Sequence, residues 1–358
     1  MDFNIVWYII IGILLVGYAI LDGFDLGVGI LHLFVKGDRD RRILLNSIGP
    51  VWDGNEVWLI TAGGALFAGF PHVYATSFSG FYVPFFALLA ALIFRAVSLE
   101  FRSKEPGKAW RNTWDFLFFF GSLMASFFFG LMIGNIIKGV PIGADMEYQG
   151  GLAELFNPFA LVTGVFTVVM FGMQGAMYLI IKTEGNLLDR IRKWAMRAWW
   201  IFLGFYVILT VEVLVDNPDM IANFSFGMIE SPWTKHEFIV EYPYIISSIT
   251  WLVVLLSVLA IANIPRTIYK DKPMQGFVSS SLVIAALISL FGLGIFPNLM
   301  ISSLGPEYNL DIYNSSSSEY TLRVMFIMAI IGMPFVIAYT SIIYWTYRGK
   351  TVLDDSSY

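Results

Sequence analysis

Apolar stretches long enough to cross a hydrocarbon core of about 30 Å occur nine times along this chain, each of about 20 residues or slightly more. They cover 5–31, 50–70, 74–96, 113–135, 157–181, 195–214, 243–263, 276–297 and 321–345. Composition agrees with them: 57% of the 358 residues are hydrophobic and only 14% are charged, against about 25% charged in soluble domains. Aromatic residues at 17% suit lipid-facing helices with interfacial belts. The expected fold is therefore an all-α integral membrane protein, a single polytopic domain over 1–358. No sequence repeat and no second soluble domain are visible.

The first stretch is expected to stay in the mature protein and not to be cleaved as a leader, because Asp2 stands where a basic segment would be needed and the apolar run continues well past 15 residues. Helix starts are marked by Pro50 after Gly49 and by Asn157-Pro158, since proline's missing N–H costs nothing in a first turn. Trp52, Trp110, Trp114, Trp194, Trp199 and Trp345 lie at span edges as belt residues. Orientation follows from the basic residues. Segments 32–49, 95–112, 182–197, 264–275 and 346–358 hold 4, 5, 5, 3 and 2 of them, 19 in all. The alternate connections hold only Lys138, Lys235 and Arg323. Because cytoplasmic loops carry the positive excess, the N-terminus is expected outside and the C-terminus in the cytoplasm. The long outside connections 136–156, 215–242 and 298–320, the last with its Ser315–Ser318 run, read as ordinary surface loops.

The absence of cysteine excludes disulfides, iron–sulfur clusters and thiolate zinc sites. Three histidines leave little for a multi-histidine centre: His32 ends the first span, His72 falls in the outer turn after Pro71, and His236 lies in an outer loop. A bis-histidine haem pair between two helices is not supported. No haem is therefore expected on this chain's own ligands, and no metal site. A net charge of -5 shows no basic surface for nucleic acid, and no phosphate-cradling glycine loop opens a soluble nucleotide fold.

Ionisable groups inside a membrane cost a few kcal/mol each and are functional candidates by default. Asp22 and Asp25 lie three apart and share one face of the first helix. Ala19, Gly23 and Gly27 form a small-residue row beside them, which admits a second helix at close range. Two readings of the carboxyls stand side by side: hydration or pairing with arginine near the cytoplasmic end, or membership of a buried polar network or proton path. Asp53 and Glu56 open the second span on one face, where acids also complement a helix N-terminus. Arg95 and Glu100 end the third span, as counter-ions or as positive-inside anchors. All six map to the cytoplasmic half, and Glu212 alone approaches the outer end of its span. A one-sided polar intake is the economical inference, with carboxyls relaying protons inward.

Two segments carry a family resemblance: Asp22-Gly23-Phe24-Asp25-Leu26-Gly27-Val28-Gly29, and Asn46 through Ala68 with Gly49-Pro50-Val51-Trp52-Asp53-Gly54-Asn55-Glu56-Val57-Trp58 at its centre. They resemble the signature segments of subunit II of the bacterial cytochrome bd quinol oxidase. Phe78-Ser79-Gly80-Phe81-Tyr82, Phe94-Arg95, Arg102-Ser103-Lys104 and Trp110-Arg111-Asn112-Thr113-Trp114-Asp115 extend the match over the first third of the chain. Beyond residue 135 it rests on length, span number and pieces such as Leu155-Phe156-Asn157-Pro158-Phe159.

The resemblance implies two four-helix bundles plus one extra helix, in a bacterial inner membrane. It implies pairing with a haem-bearing subunit I that holds both b haems, haem d and the quinol-oxidising loop, where quinol is oxidised and oxygen reduced to water. It further implies small single-span accessory subunits, contact with membrane lipid, sometimes a structural quinone in subunit II, and a hydrophilic proton channel at the subunit interface. The acid of the family's Trp-Asp-Gly-Asn motif, near the cytoplasmic mouth of that channel, is Asp53 here. Glu100 keeps the charge of an acid that precedes Arg-Ser-Lys in the family. The competing readings are a proton- or ion-coupled transporter, which commonly breaks helices near the midplane where its ligands bind, and a purely structural assembly subunit.

Overall fold

The protein is described by a computed structural model covering residues 1–229 and 243–353. Its long helices are α1 (Phe3–His32), α3 (Trp52–Gly69), α5 (Tyr82–Phe101), α6 (Lys108–Lys138), α7 (Pro158–Lys182), α8 (Gly185–Asp216), α10 (Pro243–Tyr269), α11 (Pro273–Ile295) and α12 (Glu319–Thr346). Shorter helices are α2 (Asp38–Ile48), α4 (Pro71–Gly80) and α9 (Pro218–Ala222). A two-stranded antiparallel ribbon, β1 (Asn298–Met300) with β2 (Leu310–Asp311), precedes α12.

Among the described residues, eight helices are long and apolar enough to cross a membrane, and α3 with α4 forms a bent ninth unit. That matches nine spans, with one difference in the third. The apolar run expected as one helix over 74–96 is divided at Phe81 between α4 and α5, and α4 turns 119° away from α3. Pro71 causes the turn. It takes the first helical position of α4 and forces Phe70 out of the helical region, to φ -132° and ψ 69°. His72, expected in the outer turn after Pro71, consequently sits in the first helical turn of α4. Asp2 has a local role: its carboxylate caps α1 by accepting the backbone N–H of Asn4 at 2.9 Å and of Ile5 at 3.3 Å.

The helices pack as two groups. In the first, α3, α1, α6 and α5 adjoin in that order; in the second, α7 adjoins α8 and α11, and α10 packs against α11 and α8. α1 and α6 meet α7 and so join the groups, while α12 stands apart and touches α1 and α3. The join is tight. A Cβ placed on Gly27 would fall 1.9 Å from the Phe171 carbonyl oxygen, and one on Gly175 would fall 2.4 Å from the Gly27 carbonyl carbon.

At the end opposite the basic loops, two of the connections expected as surface loops are folded into a cap, which corrects that expectation. Val140 bonds across to Ile301 and Ser303 through its backbone at 2.9 and 3.0 Å. Ile142, Leu155, Met300, Leu310 and Ile312 are buried beneath. The serine run is structural: Ser315 is buried, the Ser317 N–H donates to the Gly69 carbonyl at 2.9 Å, and Ser318 caps α12 by accepting from the Thr321 N–H at 3.3 Å. The cap forms because these polar segments contain scattered Val, Ile, Leu and Met that are buried where the segments pair with each other across a long sequence separation. The described part of 215–242 ends at residue 229, and Lys235 and His236 lie outside the described residues.

Candidate functional site

Asp22 and Asp25 are both fully buried at the basic-loop end of α1. Arg95 reaches Asp22 from α5, its Nη1 donating to Oδ1 at 2.5 Å. Glu56, from the first turns of α3, brings its Oε2 within 3.4 Å of Arg95 Nη2. Asn55, on the same turn, donates through Nδ2 to Asp25 Oδ2 at 2.8 Å, and its Oδ1 accepts the Tyr344 hydroxyl at 2.8 Å. Two carboxyl groups, Asp22 and Glu56, thus pair with one guanidinium, and a third, Asp25, stands beside Asp22 on the same helix. Asp25 Oδ1 and Arg95 Nε are buried without a protein partner. A pair buried this deeply is held by its own hydrogen bonds rather than by net Coulomb gain, because desolvation offsets most of the attraction.

Four of the six ionisable candidates therefore come together: Asp22, Asp25, Glu56 and Arg95. Asp53 is exposed on the outward face of α3, on a stripe with Val57, Ile60 and Phe67, and Glu100 is exposed at the end of α5. In the small-residue row, Ala19 is buried, Gly23 faces the Phe171 ring with 2.9 Å for an added Cβ, and Gly27 meets the α7 backbone.

A second ionic cluster was not foreseen. Asp115, two turns inside α6, accepts from Arg102 Nε at 2.6 Å and Arg41 Nη1 at 2.7 Å, and His32 Nε2 lies 2.6 Å from its Oδ1. Arg102 Nη2 continues to Asp38 Oδ1 at 2.8 Å. The knot ties α1, α2, α5 and α6 at the basic-loop end. Its available signal was an acid just inside a span, hidden among the belt residues Trp110 and Trp114. Gln174 was missed as well: buried in α7, it donates to Ser281 Oγ at 2.9 Å and accepts from Ser280, joining α7 to α11. An amide flanked by Gly172 and Gly175 in an apolar run was its only mark.

The sequence matches the family described as cytochrome bd terminal oxidase subunit II over residues 3–347. The chain belongs to that family. Cytochrome bd-I ubiquinol oxidase subunit 2 of Escherichia coli (strain K12) is 38% identical, over 98% of this chain and 95% of that protein. Cytochrome bd ubiquinol oxidase subunit 2 of Bacillus subtilis (strain 168) is 35% identical, over 96% and 95%. The fold is also that of a chain in the bd oxidase structure from Geobacillus thermodenitrificans, with a TM-score of 0.76 at 15% identity, covering 97% of this chain and 99% of that one.

As cytochrome bd subunit II, the protein is part of a quinol oxidase, an oxidoreductase, and its partner is a subunit I. The family implies haems in that partner. Among the described residues, neither histidine fits an axial haem site: His32 spends Nε2 on Asp115 and stands edge-on to Phe118, and His72 is exposed in α4. Among the described residues, no group of three or more His, Cys, Asp or Glu is arranged to hold a metal ion.

Proposed function

We propose that this subunit stabilises the haem-bearing subunit I and conducts protons to it from the basic-loop side, with Asp53 at the mouth. The buried set of three carboxyls and one arginine carries the reading. Such groups are expensive inside lipid and are retained where they serve an ion or proton pathway. Both b haems and haem d belong to subunit I in this reading, where quinol is oxidised and oxygen reduced to water. Protons consumed there need an internal route, because hydrocarbon does not pass bare charge. The carboxyl cluster stands at one edge of the bundle rather than at broken helices in the midplane, which favours an intake over an ion-coupled transport site.

The 19-to-3 division of basic residues supports a cytoplasmic location for the intake, with the N-terminus outside, in a bacterial inner membrane. Asp53 lies on the outward stripe of α3 and not within the buried set, which suits a group shared with the partner's surface. Asp53→Asn keeps shape and hydrogen bonding but removes the titrating proton. The variant complex is expected to assemble with a normal haem spectrum and to lose most quinol-dependent oxygen consumption. Wild-type turnover across the neutral pH range would reduce Asp53 to a helix-start acid, and loss of the haems would assign it to the scaffold.

A further inference from the structure

Asp25 is closed off by two residues that the path from Asp53 does not use. Asn55 bridges between its carboxyl and the Tyr344 hydroxyl with two 2.8 Å hydrogen bonds. Behind this bridge, between the start of α3 and the end of α12, lies a cleft of about 20 Å³ lined by Pro50, Gly54, Asn55, Tyr339, Thr340 and Tyr344. A water needs about 10–15 Å³ measured in this way, so the cleft admits one. On the inner side, Asp25 Oδ1 and Arg95 Nε are buried polar atoms without a protein partner. Such atoms are normally satisfied by buried water.

We propose that Asn55 and Tyr344 form a latch across a second water path, leading from this cleft to Asp25. The inference rests on the proton-conduction reading and adds to it a separate approach beside the last helix. An amide does not pass a proton in its ordinary tautomer, so the path is shut while Asn55 bridges Tyr344 and Asp25. It opens when the Asn55 side chain swings away and a water in the cleft hydrogen-bonds Asp25 directly. An excess proton delivered through that water from the aqueous side then passes to the carboxylate oxygen: the O–H bond of the hydronium donor breaks as the carboxyl O–H forms, and a neutral water remains.

Charge balance supports storage at this site. Asp25 is faced by Asp22 and Tyr18 from α1, Glu56 from α3, Arg95 from α5, Tyr178 from α7 and Tyr344 from α12. With one cation among three carboxyls, a retained proton spares the membrane an uncompensated charge. The latch is also held from outside. The Phe24 ring stands edge-on to Tyr344 at 6.4 Å. Beyond α12, the Thr351 N–H and Lys350 Nζ donate to the carbonyls of Lys182 and Thr183 at 2.8 and 2.7 Å.

The test is hydrogen–deuterium exchange at Asp25, read by infrared spectroscopy on the complete oxidase complex in lipid. The carboxyl band is assigned by its loss in Asp25→Asn. Thr340→Trp fills the cleft from α12, and Gly54→Leu fills it from α3, where an added Cβ meets nothing within 4 Å. Variants are compared only when they retain both subunits and the haem spectrum.

Either plug should slow exchange of the band severalfold. Tyr344→Phe should speed it about tenfold, the scale set by one lost hydrogen bond. Unchanged exchange in a folded plug variant, no acceleration in Tyr344→Phe, or a wild-type complex with no Asp25-dependent band would overturn the proposal. Turnover is not the readout, so an Asp53→Asn complex that retains full activity would sink the conduction reading while leaving the latch result intact.

Discussion

Adding one methyl group to Gly27 should cost stability, although the same change at Gly12 of the same helix should not. Alanine in a helix interior is normally favoured over glycine by about 0.5–1 kcal/mol. At Gly12 an added Cβ meets nothing within 4 Å, so Gly12→Ala is expected to be neutral or mildly stabilising. At Gly27 the same atom would lie 1.9 Å from the Phe171 carbonyl oxygen, where real Cβ contacts essentially never fall under 3.0 Å. The obstructing atoms are backbone, so no side chain can rotate away. α1 and α7 must therefore give by at least 1.1 Å (3.0 − 1.9) along that contact.

Overpacking of this kind costs about 1–3 kcal/mol, which exceeds the propensity gain and reverses the sign. The measurement is thermal melting of the purified complex in nanodiscs, with Gly12→Ala as the partner variant. Gly27→Ala should melt several degrees below it, and Gly27→Leu should reduce the yield of complex containing both subunits. Equal melting of Gly27→Ala and Gly12→Ala would refute the claim that the α1–α7 crossing depends on bare backbone contact.

Removing Arg95 alone, as Arg95→Met, leaves the buried Asp22 carboxylate without its cation and should cost about 3–5 kcal/mol, whereas Asp22→Asn with Arg95→Met should recover most of it; complex yield and melting check both. Asp115→Asn should be comparably damaging, because Arg102, Arg41 and His32 lose a shared acceptor. Arg111→Ala breaks only the half-exposed 3.3 Å pair with Asp38 and should change stability by less than about 1 kcal/mol in the same assay. For orientation, single cysteines at the exposed Ser103 and Ser303 should react with a membrane-impermeant thiol reagent from opposite faces, the second from outside. Labelling from one face would mean that the basic-residue count has been misread.

The span pattern was readable because each helix carries its own hydropathy. The division of the third span was harder to see, since the apolar run resumes at once after the short Thr76-Ser77 and Ser79-Gly80 interruptions and Phe70-Pro71 marks only the turn before α4. Of the buried site, the acids and Arg95 stood out as charges in apolar sequence. Asn55, Tyr344 and Gln174 did not, because uncharged polar residues are common in such helices and their partners lie up to 289 residues away. Asp115 was concealed by its place beside Trp114, where a belt residue was the ready explanation. The cap was missed for a related reason: polar loops are rich in turn-forming residues whether or not their scattered Ile and Leu find partners, and the Val140 pairing with Ser302 spans most of the second half of the chain.

The first and last segments of the chain hold each other. Trp7 Nε1 donates to the Leu322 carbonyl at 2.8 Å, the Tyr313 hydroxyl donates to Asp2 at 2.5 Å, and Thr351 returns to the end of α7. The residues that cover this flank of α1 come more than 280 positions later in the chain. Until α12 is made, α1 can pack against α3, α6 and α7, but its side toward α12 stays unmatched. Insertion of the first helix and burial of its last face are thus separated by the synthesis of nearly every other helix.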